Sequence, residues 1–254
     1  MAFIKSFIRR SIWSLGWDLR REATANTEEH ALRNLINAVR PAAVLDVGAN
    51  EGQFADKVRE IGYRGLIISF EALPAVHAKL ESRAASDHST WMIAPCAALG
   101  RENGIVDINI AANSQSSSIL RMNDSHLRAA PHSAYVGKQS VRMSRLDELA
   151  LACIPRDGDL LLKIDTQGYE KDVLLGATNL LPRIAALQIE LSLVALYENA
   201  PTFTGMLEFL QSLGFEVFGF VPNFFHPKSG RALQLDGFFV RSGTLEQGGV
   251  ANDK

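Results

Sequence analysis

Cysteine is scarce in this chain: Cys96 and Cys153 are the two in 254 residues. Neither has a nearby partner or a metal-type spacing. A disulfide framework and a cysteine zinc site are therefore excluded, and a reducing, cytoplasmic setting is expected. The six histidines form no H-x-x-H or H-E-x-x-H pattern, so no metal site is expected either. No apolar run approaches 18 residues, which argues against a transmembrane span. An excess of positive charge is also missing. The net charge is −2, and no extended basic run lies beyond the N-terminus, so a nucleic-acid partner is not expected. Internal repeats and low-complexity linkers are absent. What is present is a hydrophobic fraction of 47%, ample for the core of one large α/β domain.

Residues 1–21 carry Lys5, Arg9, Arg10, Arg20 and Arg21 against the single acid Asp18. Ile4, Ile8, Ile12, Leu15 and Leu19 recur at helical spacing, with Trp13 and Trp17 among them. Charges interrupt the apolar residues, so this is not the unbroken core of a signal peptide. The spacing predicts a helix that packs on its own domain or on a second copy of the chain. The alternative is a membrane-surface helix that brings the protein near lipid-linked substrates. The expected organisation is a helical extension over 1–40, a catalytic domain over 41–242 and a flexible tail over 243–254.

The most informative stretch is Val44-Leu45-Asp46-Val47-Gly48-Ala49-Asn50-Glu51-Gly52-Gln53-Phe54. An apolar run leads into a carboxylate, a small-residue turn and a helix start. Such a turn presents backbone N–H groups to a nucleotide-like ligand. A second acid, Glu71, ends the next apolar run, where it can accept hydrogen bonds from both hydroxyls of a ribose. The turn lacks the middle glycine of G-x-G-x-x-G, having Asn50 there, and Ala55 stands three residues beyond Gly52. A pyrophosphate needs the close backbone approach that glycine permits. The turn therefore suits S-adenosylmethionine (SAM), which has no phosphate, better than a dinucleotide.

Apolar periodicity predicts a helix over 28–40 ended by Pro41, strands over 43–47, 66–70 and 91–94, and a peripheral strand over 105–110. Further strands are expected over 159–164 and 185–191, closing on Asp165 and near Glu190. A helix over 203–213 with Gly214 at its cap precedes strands at 215–221 and 235–241. Strands alternating with helices imply a mostly parallel sheet. The expected fold is a Rossmann-like α/β sandwich whose seven-stranded sheet ends in an antiparallel hairpin. By fold-level analogy that hairpin separates class I SAM-dependent methyltransferases from dehydrogenases. Residues 113–137, rich in Ser and Asn, read either as a lid carrying Ser116, Ser117, Ser118, His126 and His132 toward an acceptor, or as a solvated loop. His226 reads as an acceptor-side residue or a surface turn.

The chain resembles the FkbM-type methyltransferases over about residues 43–241. Leu45 to Gly52 and Phe70-Glu71-Ala72 are shared with many SAM enzymes. Leu162-Lys163-Ile164-Asp165-Thr166-Gln167-Gly168-Tyr169-Glu170, Gln188-Ile189-Glu190-Leu191-Ser192 and Gln234-Leu235-Asp236-Gly237-Phe238-Phe239-Val240 are more specific. One departure is Gln167, where many members have Glu. The resemblance implies O-methylation of a hydroxyl on a sugar, glycan or natural product. It also implies that Ala97, after the third strand, lies against the adenine. The expected cofactor set is Asp46, Gly48, Ala49, Asn50, Gly52, Phe54, Glu71, Ala72, Ala97 and Asp165. The expected catalytic carboxylates are Asp165 and Glu190. Asp165 reads as a base, a partner for the cofactor's amino group, a metal ligand or a helix cap. Glu190 reads as a proton acceptor or a member of a structural ion pair. Glu170 is expected to serve the helix dipole, and Cys96 to be a small buried residue. A nicotinamide-dependent reductase and a catalytically silent scaffold are the alternative classes.

Overall fold

The computed structural model describes residues 27–87 and 90–247. The N-terminal helix expected over 1–21 lies outside them, as do most of the expected tail residues. Each expected strand is present. β1 (Ala43–Val47), β2 (Leu66–Phe70) and β3 (Trp91–Ile93) run parallel, and β7 (Leu160–Ile164) and β8 (Ile184–Ser192) extend the sheet on the other side of β1. β9 (Phe215–Phe225) and β10 (Ala232–Arg241) close it as an antiparallel pair, with β10 inserted between β8 and β9. The order is β3-β2-β1-β7-β8-β10-β9. This is the class I methyltransferase arrangement expected from the sequence.

Side chains alternate across a strand, so each strand feeds two cores. Ala43, Leu45 and Val47 of β1 join Leu160, Leu162 and Ile164 of β7 on one face. That face is covered by α6 (Glu170–Leu175) and α7 (Phe203–Ser212). Val44 and Leu161 face the other way, against α1 (Glu28–Val39) and α2 (Gln53–Glu60). Thr27 caps α1, and Leu32, Leu35, Ile36 and Val39 are buried on the sheet. α1 is thus built into the core with Val221, Phe238 and Val240. Residues 28–39 belong to the domain itself, which moves the expected boundary at 41 back to the start of this helix.

Residues 98–144 hold a second sheet absent from the sequence reading. β4 (Ala98–Leu99) and β5 (Gly104–Ala111) both pair with β6 (Tyr135–Ser144). The stretch between β5 and β6 is not a plain loop. It contains a 3₁₀ turn at Ser114–Ser116, α4 (Asp124–Ala129) and a second 3₁₀ turn at Pro131–Ser133. Ser116, Ser118, His126 and Ser133 are buried. No helix among the described residues is long and apolar enough to cross a membrane.

Candidate active site

A cavity of about 520 Å³ opens at the C-terminal ends of β1, β2, β7 and β8, roofed by the segment between β5 and β6. This is where open α/β sheets place their ligands. Gly48, Ala49, Asn50, Phe54, Glu71, Ala72, Ala97, Asp165 and Glu190 all line it. Ser116, Ser117, Ser118, His126 and His132 line it from the roof, so the segment over 113–137 covers the site rather than lying in solvent. His226 sits instead in the β9–β10 turn, bonded to Ser229, which is the surface-turn reading.

The turn after β1 differs from the expectation in one respect: its N–H groups do not face a ligand. Those of Gly48 and Ala49 donate to Phe70 O, both at 3.0 Å, and that of Gly52 donates to Ala49 O. That of Asn50 donates to Glu71 Oε2 at 2.9 Å, and that of Glu51 to the Asn50 side chain. A turn so occupied offers no phosphate cradle, which disfavours a dinucleotide more firmly than the missing glycine does. Asn50 adopts φ +48°, a left-handed conformation that Asn tolerates better than most residues. Gly48 is required because a Cβ there would overlap the carbonyl oxygen of Asp165. Gly52 is required by φ +94° and by the Trp91 ring packed against it.

Two members of the expected cofactor set stand apart from the cavity wall, Asp46 and Gly52. Asp46 is wholly buried. Strand parity explains it: Asp46 shares the face of Val44 and lies directly opposite Lys163 on β7. Lys163 Nζ approaches Asp46 Oδ1 at 3.1 Å and donates to Gly48 O at 3.0 Å. Ser69 Oγ donates to Asp46 Oδ2. Burial works against the lysine's charge, but Asp46 and Asp165 hold its pKa above the ordinary value. Asp46 thus acts on the site through Lys163. The lysine was legible as a charge inside an apolar strand, which demands a buried counter-charge.

Glu71 is 8% exposed, and both its oxygens are occupied from below. Oε1 accepts from the N–H groups of Ala72 and Leu73, each at 2.8 Å, while Oε2 takes that of Asn50. Burial raises its pKa and these three donors oppose the shift. A carboxylate oxygen has two lone-pair sites, so Oε1 is filled and one site remains on Oε2 for a hydroxyl of a ribose. Beside it, Ala72, Leu73, Ala97, Ala98 and Ile108 form a small apolar slot suited to a flat ring. These residues fit the nucleoside half of SAM. Cys96 is off this wall, its thiol donating to Ala72 O.

The two candidate carboxylates, Asp165 and Glu190, converge through an amide. Gln167 Nε2 donates to Asp165 Oδ1 at 2.7 Å and to Glu190 Oε2 at 3.0 Å. Its Oε1 accepts from Tyr197 OH at 2.6 Å, which fixes the amide's orientation. Gln167 itself sits at φ +56°. Glu190 also accepts from Gln234 Nε2 at 2.7 Å and from Asn223 Nδ2 at 3.2 Å. In place of the structural ion pair considered for Glu190 stand three neutral amides. Burial, then Asp165 and Asp236, push its pKa well above the ordinary carboxylate value. Asp165 has a cation beside it, with Lys163 Nζ at 3.8 Å.

Asp236, unassigned by sequence, lies opposite Glu190 across β8 and β10 and lines the cavity. Burial and then Glu28 raise its pKa to about 7. Glu28 reaches the site from α1, paired with Lys57 and bonded to Gln188.

Glu170 stays off the wall and organises the loop after β7. Its Oε1 accepts from Thr166 N–H, Thr166 Oγ1 and Gly168 N–H. Burial raises its pKa to about 7 from an ordinary 4.5. A raised acid binds more protons folded than unfolded, so Glu170 costs stability increasingly as pH rises through that window. All three contacts end on one oxygen, which Gln retains. Glu170→Gln is expected to stabilise the protein by about 1–3 kcal/mol near pH 8 and by little near pH 5. Urea denaturation at both pH values checks this, and a variant less stable at the higher pH contradicts it.

Three solved structures are similar to this chain at low identity. One is a SAM-dependent methyltransferase from Mesorhizobium loti, 13% identical over 87% of this chain and 100% of that one, with a TM-score of 0.47. The second is an rRNA methylase from Streptococcus thermophilus, 10% identical over 89% and 99%, TM-score 0.46. The third is a TehB-like SAM-dependent methyltransferase from Corynebacterium glutamicum, 12% identical over 94% and 96%, TM-score 0.41. Likeness at this level leaves the fold to be read from the strand order itself. No curated protein matches the chain at a significant level. The family described as the methyltransferase FkbM domain matches residues 46–217. That span is most of the sequence and contains the turn, Glu71, Gln167, Asp165 and Glu190. The chain belongs to the FkbM family of SAM-dependent methyltransferases.

Proposed function

We propose that the protein transfers a methyl group from SAM to the oxygen of a hydroxyl-bearing acceptor, such as a sugar, a glycan or a natural product. The observation that carries this reading is Glu190: a cavity carboxylate held by three neutral amides, with no cation in direct contact among the described residues. A carboxylate of raised proton affinity is what removal of a proton from a hydroxyl requires.

Glu71 would hold the ribose, the slot formed by Ala72, Leu73, Ala97 and Ala98 the adenine, and Asp165 the positive end of SAM. When bound, SAM supplies a methyl group already activated by positive sulfur. The protein's tasks are then alignment and one proton transfer. Glu190 Oε1 carries one amide contact against two at Oε2. We assign Oε1 as the atom that takes the hydroxyl proton, leaving an ether on the acceptor. Gln167 keeps the two acids in register, and the roof excludes water.

The test is transfer of labelled methyl from SAM to pools of sugars, glycans and small-molecule hydroxyls. The expected product carries the label in a base-stable ether. Label confined to nitrogen or sulfur would overturn the O-transfer reading.

A further inference from the structure

We propose that Asp236 and Gln188 form a subsite for a protonated amino group of the acceptor, adjacent to the hydroxyl served by Glu190. The inference rests on the O-methyl-transfer reading and narrows it to 1,2-amino alcohols, amino sugars among them.

The wall beyond Asp165 is built from α1, β8, β9 and β10. Its amide side chains are all turned the same way. Gln188 Nε2 donates to Glu28 Oε1 at 2.9 Å. The amide nitrogens of Gln167, Asn223 and Gln234 all donate to Glu190. The Gln167 oxygen is taken by Tyr197, and what the others turn away from their carboxylate partners are carbonyl oxygens. Gln188 is the clearest case. It lines the cavity, is 3% exposed, and its Oε1 is buried without a hydrogen-bond partner. A buried acceptor left unpaired costs free energy, and a ligand donor would remove that cost.

Charge points the same way. Among the described residues no arginine lines the cavity. Its two lysines are engaged, Lys57 with Glu28 and Lys163 with Asp46. Asp236 and Glu190 are directly opposed on neighbouring antiparallel strands. Like charges so placed repel, and no donor among the described residues reaches the Asp236 carboxylate. A wall of acceptors with two opposed carboxyl groups fits a cationic donor, which favours their ionised form, and rejects a phosphate or carboxylate.

Geometry sets the spacing. Side chains directly opposed in an antiparallel pair have Cβ atoms about 5 Å apart. Gln188 precedes Glu190 by two residues and so points to the same face. One ligand can place an ammonium between Asp236 and Gln188 Oε1 while its neighbouring hydroxyl meets Glu190 Oε1. The ammonium has no lone pair, so the hydroxyl is the group left to react.

The probes are trans-2-aminocyclohexanol, its N-acetyl derivative and trans-1,2-cyclohexanediol. Their binding is followed by ligand-observed NMR with the full chain saturated with S-adenosylhomocysteine, beside SAM calorimetry. The wild-type protein is expected to prefer the amino alcohol over the other two by about tenfold or more, the scale of a charge-assisted contact. Asp236→Asn should erase that preference while leaving SAM affinity within about twofold, since this group lies beyond the cofactor half. Equal binding of the diol, no detectable binding of the amino alcohol, or a preference that survives Asp236→Asn each overturns the subsite. Failure of the wild-type protein to bind SAM would instead overturn the methyl-transfer reading on which it rests.

Discussion

Glu190→Gln is expected to lower methyl-transfer turnover by about 10²–10⁴-fold, the range of a lost general base. The substitution keeps the side chain's length and removes its proton affinity. SAM affinity should change little, because Glu71 and the apolar slot hold the nucleoside. The wild-type pH profile supplies a second readout. A base must be ionised to act, so kcat/KM should fall as the medium is acidified through the raised pKa of Glu190. That limb should lie well above the ordinary carboxylate range and disappear from the variant's residual rate. Asp165→Asn should behave differently, weakening SAM binding first. A Glu190→Gln enzyme that is folded and retains full turnover would return Glu190 to a structural role and leave Asp165 as the base.

Lys163→Met is expected to destabilise the fold by about 3–5 kcal/mol, because it leaves Asp46 as an unpaired buried charge. Asp46 has no exposure at all, and among the described residues Lys163 is the cation paired with it. The same lysine holds Gly48 O, so the β1 turn should loosen too. Replacing both partners removes the uncompensated charge, and Asp46→Leu with Lys163→Met should recover much of the loss. Denaturant melts of the two singles and the double close the cycle. A loss below about 1 kcal/mol in Lys163→Met would mean that Asp46 is neutral or solvated.

These two residues illustrate what the sequence conveyed. The strands were legible because β1, β2, β7 and β8 are apolar runs buried on both faces, and nearly all of that signal is local. Glu71 and Glu190 were legible as acids at or near strand ends. Asp46 was misplaced because it was read by its motif and not by its parity. It shares a face with Val44, and the β1 residues that line the cavity begin at Val47. The second sheet escaped notice because β6 is mostly exposed, with Val141 and Met143 its only buried apolar residues. Asp236 and Gln188 lay inside recognised motifs, but their meeting with Glu190 depends on strand pairing over long separations. Gln167 looked like the loss of a carboxylate. In the fold it is the amide that couples two others, a role set by Tyr197 some thirty residues away.

The central claim, a SAM site built on Glu71 at the end of β2, is tested most directly by titration calorimetry of SAM into the wild-type chain and Glu71→Ala. A single site is predicted in the wild type. In the variant, affinity should fall by about 1–3 kcal/mol, the worth of charge-assisted hydrogen bonds to the ribose and to the Asn50 turn. Unchanged affinity in a folded Glu71→Ala protein, or no SAM binding by the wild type, would contradict it.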